Sequence, residues 1–297
     1  MLQKIIVPVD GLPASLRALD LAIALARSHG SELILGNAVN YAAAIAQVAV
    51  PYGVSDATPL LNEVSDAAHS ILADAETACK TAGVAATTIV LEGPAVGAIV
   101  DAAKAQGAEA IVMGTRGIGG LERWFVGSTA DGVLRTADVP VFVVHPVDDA
   151  PPPSFKRILV AVDDSDASAA AVAFAIDLAA AESGVPVFAH VIETAGLVEK
   201  SHEYGYDATP MLAELRAAAH QQLDAAVAAA RARGLVPETL IAEGHAAPMI
   251  LAAAAAHEAG AIAIGTHGRR GLRRLFVGSV AEAVVRESPV PVVVVRR

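Results

Sequence analysis

The chain has 297 residues, of which 54% are hydrophobic, 18% are charged and only 4% are aromatic. This composition favours one large or two ordinary folded domains over a disordered protein. The formal net charge of −11 argues against wholesale binding to nucleic acid or to an anionic membrane, and leaves room only for a small basic pocket. The single cysteine, Cys79, excludes an internal disulfide framework and cysteine-cluster metal sites, and we interpret it as a buried small side chain.

Strand-like and helix-like segments alternate along the first half of the chain. Short β-branched runs predict the strands, and apolar residues at helical spacing predict the helices. In chain order, the pattern predicts a strand at 4–10, a helix at 14–29, a strand at 32–39, a mobile loop at 40–56, a helix at 58–82 with Thr58 as its N-cap, a strand at 87–91, a helix at 94–105, a strand at 110–113, a helix at 128–136 and a strand at 139–144.

The second half of the chain repeats the first. The run KIIVPVD at 4–10 returns as RILVAVD at 157–163, and VPVFVV at 139–144 returns as VPVVVV at 290–295. Three prolines between the halves predict a stiff linker. We therefore predict two domains, 1–146 and 156–297, joined by a linker at 147–155. Alternating strands and helices predict a doubly wound parallel α/β sheet in each domain.

A glycine pattern, Gly-x2-Gly-x9-Gly-Ser, follows the fourth predicted strand of each half. It occupies Gly114, Gly117, Gly127 and Ser128 in the first half and Gly265, Gly268, Gly278 and Ser279 in the second. Glycine lets the backbone approach a ligand closely, and successive backbone N–H groups bind anions. The Gly-Ser pairs begin helices, whose N-termini attract phosphate, so each serine is expected to be an N-cap and a phosphate donor. Arg116 and His267 occupy matching positions and are also expected to face a phosphate.

The first strand of each half ends in an acid, Asp10 or Asp163. Ligands of open α/β sheets bind beyond the carboxyl ends of the strands, where the strand order reverses. If the first and fourth strands are neighbours, the acid and the glycines of each half share one crevice. No Gly-Lys-Ser/Thr or G-x-G-x-x-G sequence occurs, which disfavours a Walker loop and a Rossmann dinucleotide site.

The glycine pattern, together with an acid after the first strand, resembles the ATP-binding branch of the universal stress protein family. The resemblance covers 4–145 and 157–297. It implies two tandem five-stranded parallel sheets of order 3-2-1-4-5, similar to adenine nucleotide alpha-hydrolases, that pair through their terminal strands as an internal pseudo-dimer. A further pairing of chains into a homodimer stays open. The resemblance also implies ATP, ADP or AMP as ligand, with Mg²⁺ brought by the phosphates.

Roles in the two nucleotide sites follow from the same resemblance. The acids Asp10 and Asp163 would meet the adenine–ribose part. The adenine pocket would be lined by the backbone of Val9 and Val162 and by the small side chains of Ala38 and Val191. The phosphates would be held by Gly114, Gly117, Gly127, Ser128 and Thr129 in the first half, and by Gly265, Gly268, Gly278, Ser279 and Val280 in the second. Asp164 stands where the first half has Gly11, so equal affinities are not expected.

Other features give weaker signals. The histidines show no zinc-site spacing, so we expect no metal site. Arg269, Arg270, Arg273 and Arg274 form a basic run that suits a solvated surface, an anion funnel or a partner contact. The apolar stretch 246–264 predicts a buried helix, a turn and a strand rather than a membrane span, and the early charges disfavour a signal peptide. A soluble cytoplasmic protein is therefore expected.

Three hypotheses remain for the function. The first is an ATP-binding stress-response protein in which nucleotide occupancy stabilises or switches a conformation. The second is a slow ATPase or phosphotransferase, which ranks lower because the sequence offers no evident general base and no Walker lysine. The third is an interaction module whose glycine loops bind nothing.

Overall fold

The computed structural model of the chain describes residues 2–52, 56–115, 126–146, 154–194, 203–204, 207–266 and 278–296. They form two compact units, one within Leu2–Asp149 and one within Ala150–Arg297. Each unit is an α/β fold built on a parallel sheet.

The first unit contains the parallel strands β1 (Lys4–Pro8), β2 (Glu32–Val39), β3 (Ala86–Glu92), β4 (Ala110–Gly114) and β5 (Val141–Val144). Its helices are α1 (Pro13–His29), α2 (Tyr41–Tyr52), α3 (Thr58–Thr81), α4 (Ala95–Gln106) and α5 (Ser128–Thr136). The strand order is β3-β2-β1-β4-β5. β1 and β4 are therefore neighbours, as predicted.

The second unit has the same order of elements. Its strands are β6 (Arg157–Ala161), β7 (Val185–Ile192), β8 (Glu238–Glu243), β9 (Ala261–Gly265) and β10 (Val292–Val295). Its helices are α6 (Asp166–Ala181), α7 (Thr209–Ala232), α8 (Ala246–Ala256) and α9 (Ser279–Glu287). The strand order is β8-β7-β6-β9-β10, which is 3-2-1-4-5 when the strands are numbered within the unit.

The β-branched runs form strands because both faces of each sheet are covered by helices. Ile5, Ile6 and Val7 of β1 are buried on successive, opposite faces. Cys79 of α3 is fully buried, as interpreted from the sequence. Burial raises the pKa of its thiol to about 11, so the thiol stays protonated at neutral pH.

Two local predictions were wrong. The predicted loop at 40–56 contains helix α2, which begins after Asn40 in an alanine-rich run. The side chain of Asn40 accepts a hydrogen bond from the N–H of Ala43 at 3.1 Å, a helix-start signal that the sequence reading missed. Thr58 is the first residue of α3 rather than its N-cap, which is Ala57.

The predicted linker at 147–155 lies mostly outside the described residues. Its limits, and the pairing of the two halves as a pseudo-dimer, stay predictions.

Candidate functional site

An acid and a glycine lie at the same edge of the sheet in each unit. β1 ends at Pro8 and is followed by Val9 and Asp10, while the adjacent parallel strand β4 ends at Gly114. β1 has β2 on one side and β4 on the other, so the strand order reverses at this point. Ligands of open parallel sheets bind at such a reversal, beyond the carboxyl ends of the strands.

The second unit reproduces this edge. β6 is followed by Val162 and Asp163, and the adjacent strand β9 ends at Gly265. The structure thus brings together the acid and the first glycine that the sequence predicted for each site.

The two acids are held differently by their own loops. Oδ1 of Asp10 accepts a hydrogen bond from the N–H of Leu12 at 3.0 Å, and Asp10 is exposed. Oδ1 of Asp163 accepts two hydrogen bonds from Ser165, one from the N–H at 2.9 Å and one from the hydroxyl at 2.6 Å. Ser165 is also the N-cap of α6, because its Oγ accepts from the N–H of Ser168 at 3.1 Å. The carboxylate of the second unit is therefore the more constrained of the two.

The peptide group before each acid is held by side chains at both ends. In the first unit, Nδ2 of Asn37 donates to the carbonyl oxygen of Val9 at 2.7 Å, and the N–H of Asp10 donates to Oγ of Ser15 at 3.2 Å. Asn37 belongs to β2 and Ser15 to α1. The sequence reading did not identify either residue, since neither belongs to the glycine pattern.

The second unit holds the matching peptide group in the same way. Nδ1 of His190 donates to the carbonyl oxygen of Val162 at 2.8 Å, and the N–H of Asp163 donates to Oγ of Ser168 at 2.9 Å. The N–H groups of Val9 and Val162 donate to the carbonyl oxygens of Gly36 and Ala189, both at 2.8 Å. These two N–H groups are therefore engaged within the sheet and do not serve as donors to a ligand.

The glycine that ends the fourth strand of each unit has a packing role. A Cβ atom on Gly114 would lie 2.5 Å from the carbonyl carbon and oxygen of Ala14 in α1. A Cβ atom on Gly265 would lie 2.6 Å from the carbonyl carbon of Ala167 in α6. Contacts this short are not possible, so both positions need glycine to let the first helix cross the strand end. The sequence reading assigned these glycines only to the ligand.

A buried threonine after each of these glycines bonds both to the fifth strand and to the start of the next helix. Thr115 is fully buried, and its N–H donates to the carbonyl oxygen of Val144 at 2.9 Å. Its own carbonyl oxygen accepts from the N–H of Gly127 at 2.6 Å. Thr266 makes the corresponding bonds, to Val295 at 3.1 Å and from Gly278 at 2.5 Å. The helix that follows is thereby fixed beside the end of the fourth strand.

Helices α5 and α9 begin one residue earlier than they would if Ser128 and Ser279 were their N-caps. The N-caps of α5 and α9 are Gly127 and Gly278, and Ser128 and Ser279 are the first helical residues. The carbonyl oxygen of Gly127 accepts from the N–H of Asp131 at 3.0 Å, which is the bond an N-cap makes. The prediction that the serines are N-caps was therefore wrong.

No side chain caps α5 or α9 within the part of the chain that the structure describes. The first N–H groups of a helix lack backbone partners, and they carry a partial positive charge. Ser128 and Ser279 are exposed in this first turn, and Thr129 and Val280 are half-buried beside them. Both helix starts can therefore accept an anion.

The remaining predicted site residues have the following positions. Val9 and Val162 are buried, whereas Ala38 of β2 and Val191 of β7 are half-buried near the carboxyl ends of their strands. Four predicted residues, Arg116, Gly117, His267 and Gly268, lie outside the described residues, as does the basic run at 269–274.

Charge near the first helix start is partly balanced. Asp131 in the first turn of α5 pairs with Arg135 one turn later, at 2.8 Å between Oδ2 and Nε. Within the described ranges, no group of three or more His, Cys, Asp and Glu side chains could hold a metal ion. Of the helices in those ranges, none is long and apolar enough to cross a membrane.

Comparison with known proteins gives one consistent result. The model of the universal stress protein family matches residues 1–145 and 154–296. A universal stress protein of Mycolicibacterium smegmatis is 29% identical over 303 residues, covering 98% of this chain and 96% of that protein. One of Mycobacterium tuberculosis is 31% identical over 214 residues, covering 70% of this chain and 67% of that protein.

Solved structures support the same fold. The crystal structure of a universal stress protein from Archaeoglobus fulgidus matches with a TM-score of 0.71 and 24% identity, covering 99% of this chain and 98% of that one. The family match extends over both halves of the sequence, and each half folds as a five-stranded parallel sheet. The chain therefore belongs to the universal stress protein family and carries two domains of that family in tandem.

Proposed function

We propose that each unit binds one adenine nucleotide, with ATP as the main ligand, and that nucleotide occupancy is how the chain acts in the stress response of its family. One observation carries the proposal. In both units, the acid after the first strand and a helix start that no described side chain caps lie beside neighbouring strand ends at the same edge of the sheet.

The two groups suit opposite ends of a nucleotide. The carboxylates of Asp10 and Asp163 can accept hydrogen bonds from ribose hydroxyls. The first-turn N–H groups of α5 and α9, with the hydroxyls of Ser128 and Ser279, can donate to phosphate oxygens. Glycine at positions 127 and 278 keeps side chains away from those donors.

The donor set fits a nucleotide better than a bare metal ion. It supplies N–H and hydroxyl donors, which bind anions, and few carboxylates. Mg²⁺ usually enters such sites on the phosphates and keeps much of its water shell. The guanidinium of Arg135 offsets part of the repulsion between Asp131 and the phosphates, because the two side chains form an ion pair.

We further propose that the domains extend over 1–146 and 156–297 with a linker at 147–155, and that the protein works in the cytoplasm as an internal pseudo-dimer. The three prolines of the linker support the first part of this proposal. Limited proteolysis tests it, because cleavage confined to 147–155 should release two protease-resistant fragments.

Bound nucleotide is the direct test of function. Freshly purified protein is denatured, and released ATP, ADP or AMP is identified by mass spectrometry. Calorimetry on nucleotide-free protein then measures the stoichiometry, which should be two nucleotides per chain. If no nucleotide is released and ATP produces no binding heat, the proposal is wrong and the interaction-module hypothesis is favoured.

A pair of glycine substitutions tests the location. Gly127 and Gly278 have φ values of −62° and −61°, which valine adopts without strain, so Gly127→Val with Gly278→Val adds bulk at the helix starts without forcing the backbone. ATP binding should be lost while the circular dichroism spectrum is unchanged. Gly97→Ala in α4 is the control, since no atom lies within 4 Å of the added Cβ.

Turnover separates a binding protein from an enzyme. A nucleotide-binding switch should release phosphate from ATP no faster than ATP hydrolyses by itself in the same buffer. Steady phosphate release that disappears in the Gly127→Val and Gly278→Val variant would instead favour the slow ATPase hypothesis.

A further inference from the structure

The carbonyl oxygen that precedes the acid accepts a hydrogen bond from a different side chain in each unit. Asn37 donates to Val9 at 2.7 Å, and His190 donates to Val162 at 2.8 Å. The two donors lie at the same distance in sequence from their acids, Asp10 and Asp163. One is an amide and the other an imidazole. The two halves therefore share the hydrogen bond although they do not share the residue that makes it.

The pairing between β1 and β2 ends just before this carbonyl group. β1 pairs with β2 from Lys4 opposite Glu32 to Pro8 opposite Gly36, and then turns away, whereas β2 continues beside β3 to Val39. The carbonyl oxygen of Val9 lies just beyond the last β1–β2 pair. A side chain from β2 therefore supplies the bond that the backbone of a continuing strand would supply.

The other end of the same peptide group is held from a helix. The N–H of Asp10 donates to Ser15, and the N–H of Asp163 donates to Ser168. Both serines are buried, at 5% and 3% exposure. Each peptide group is thus fixed between the second strand and the first helix of its unit, which sets the direction in which the acid leaves the backbone.

Fixing this direction matters most in the first unit, where the acid itself is only loosely held. Asp10 is exposed, and a single backbone N–H binds its Oδ1. Its side chain can present a carboxylate in one place only if its own backbone is held in one orientation. Groups that are oriented before the ligand arrives bind it with less loss of conformational freedom.

We propose that Asn37 and His190 are positioning residues of the two nucleotide sites, each acting through the peptide group that it binds to aim Asp10 or Asp163 at the ligand. This inference rests on the proposed nucleotide binding. It adds two residues that lie outside the glycine pattern, and it predicts that amide and imidazole are interchangeable at this place.

The test compares a variant that removes both donors with one that exchanges them. In Asn37→Leu with His190→Leu, neither side chain can donate, and we expect the Kd for ATP measured by calorimetry to rise roughly tenfold or more. In Asn37→His with His190→Asn, each unit receives the other unit's donor, and we expect most of the affinity to return. Both are measured in the full chain at a temperature where circular dichroism shows it folded.

A matched control separates positioning from stability. Ser31 is also buried, and its hydroxyl donates to the carbonyl oxygen of Leu2 at 2.5 Å, but it lies at the opposite, amino-terminal edge of β1 and β2. Ser31→Ala should lower the melting temperature and leave the Kd for ATP unchanged. If Asn37 and His190 had a purely structural role, their leucine variants would also lower the melting temperature and leave the Kd for ATP unchanged. That result would overturn this inference but not the proposed nucleotide binding.

The other outcomes are also decisive. If the leucine variant does not fold, Ser15→Ala with Ser168→Ala releases the opposite end of the same peptide groups and should likewise weaken ATP binding. Unchanged Kd in that folded variant would overturn the inference. If the unmodified chain binds no ATP, the proposed function fails, and this inference fails with it.

Discussion

The two units place an acid at the same sheet edge but hold its carboxylate with different groups. In the first unit a backbone N–H holds Asp10, and the residue at the start of α1 is Leu12, which makes no capping bond. In the second unit Ser165 both caps α6 and binds Asp163. The backbone path at this edge is therefore the constant feature. A serine of the first helix supports it in both units, while the other supporting side chains vary.

The opposite edges of the two sheets differ as well. In the second unit, Nη2 of Arg157 contacts Oε2 of Glu238 at 2.7 Å, and Nδ1 of His257 lies 3.2 Å from the same oxygen. At the corresponding place in the first unit, Nζ of Lys4 donates to the carbonyl oxygen of Gln106 at 3.4 Å. The second unit therefore has an ion pair between Arg157 and Glu238, hydrogen-bonded to His257, that joins β6, β8 and the residue after α8.

The largest expected effect should be equal in the two units. Gly114→Ala and Gly265→Ala each force a Cβ against the backbone of the first helix, so each should lower the free energy of unfolding of its own unit by about 3 kcal/mol. Hydrogen exchange followed by mass spectrometry can assign the loss to one unit. Gly97→Ala, which meets open space in a helix, should instead stabilise slightly. A loss below about 1 kcal/mol at Gly114 would mean that α1 moves away at little cost.

Changes at the N-cap of the first helix should alter the free energy of unfolding in opposite directions in the two units. Ser165→Ala removes an N-cap and should cost about 1 kcal/mol in the second unit. Leu12→Ser introduces a cap at the matching position and should add about 0.5 kcal/mol to the first unit. Denaturant unfolding, resolved by unit through hydrogen exchange, measures both. Equal losses in the two variants would show that Leu12 contributes more by packing than a cap would.

A smaller effect on acidification should come from Glu238, which belongs to the second unit. The hydrogen bond from Arg157 holds the pKa of Glu238 below its ordinary value. A group with a lowered folded-state pKa stabilises the protein above its ordinary pKa, and that contribution is lost as the pH falls through the lowered value, here below about 4.5. Because Glu238 is substantially exposed, the contribution should stay under about 1 kcal/mol.

Replacing Glu238 tests the assignment of that pH dependence. Glu238→Gln should remove the difference between the units in hydrogen exchange measured at neutral and at acidic pH. If the second unit of this variant still loses protection on acidification as the unmodified chain does, other carboxylates cause the effect.

The smallest effect concerns the first helix start. Arg135→Ala frees the carboxylate of Asp131, which should weaken ATP binding in the first unit by about twofold, because the pair contributes a few tenths of a kcal/mol. In the second unit Arg286 pairs with its neighbour Glu287, so Arg286→Ala should change ATP affinity less. Calorimetry can compare the effects of Arg135→Ala and Arg286→Ala on ATP affinity, if the site of the other unit is blocked by its valine substitution. Equal changes would contradict the difference in pairing.

Much of the fold was predictable because its signals are local in sequence. The β-branched runs gave the strands, the helical spacing gave most of the helices, and the repeat gave two units of one topology, which the strand order confirms. Helix α2 was missed, although Asn40 carried a local cap signal. The N-cap was placed on Ser128 instead of Gly127, because serine is the commoner cap and the sequence does not show which carbonyl the helix uses first.

By itself, the sequence determined the family, the repeat and the positions of acid and glycines at strand ends. The tertiary structure alone decided that Gly114 is required by the backbone of Ala14, and that Asn37 and Ser15 hold the peptide group before Asp10. The bond between Asn37 and Val9 joins two strands far apart in the chain, and it depends on the register at which β1 leaves β2. Periodicity and spacing report on neighbours within an element, whereas such a bond exists only once the sheet has assembled.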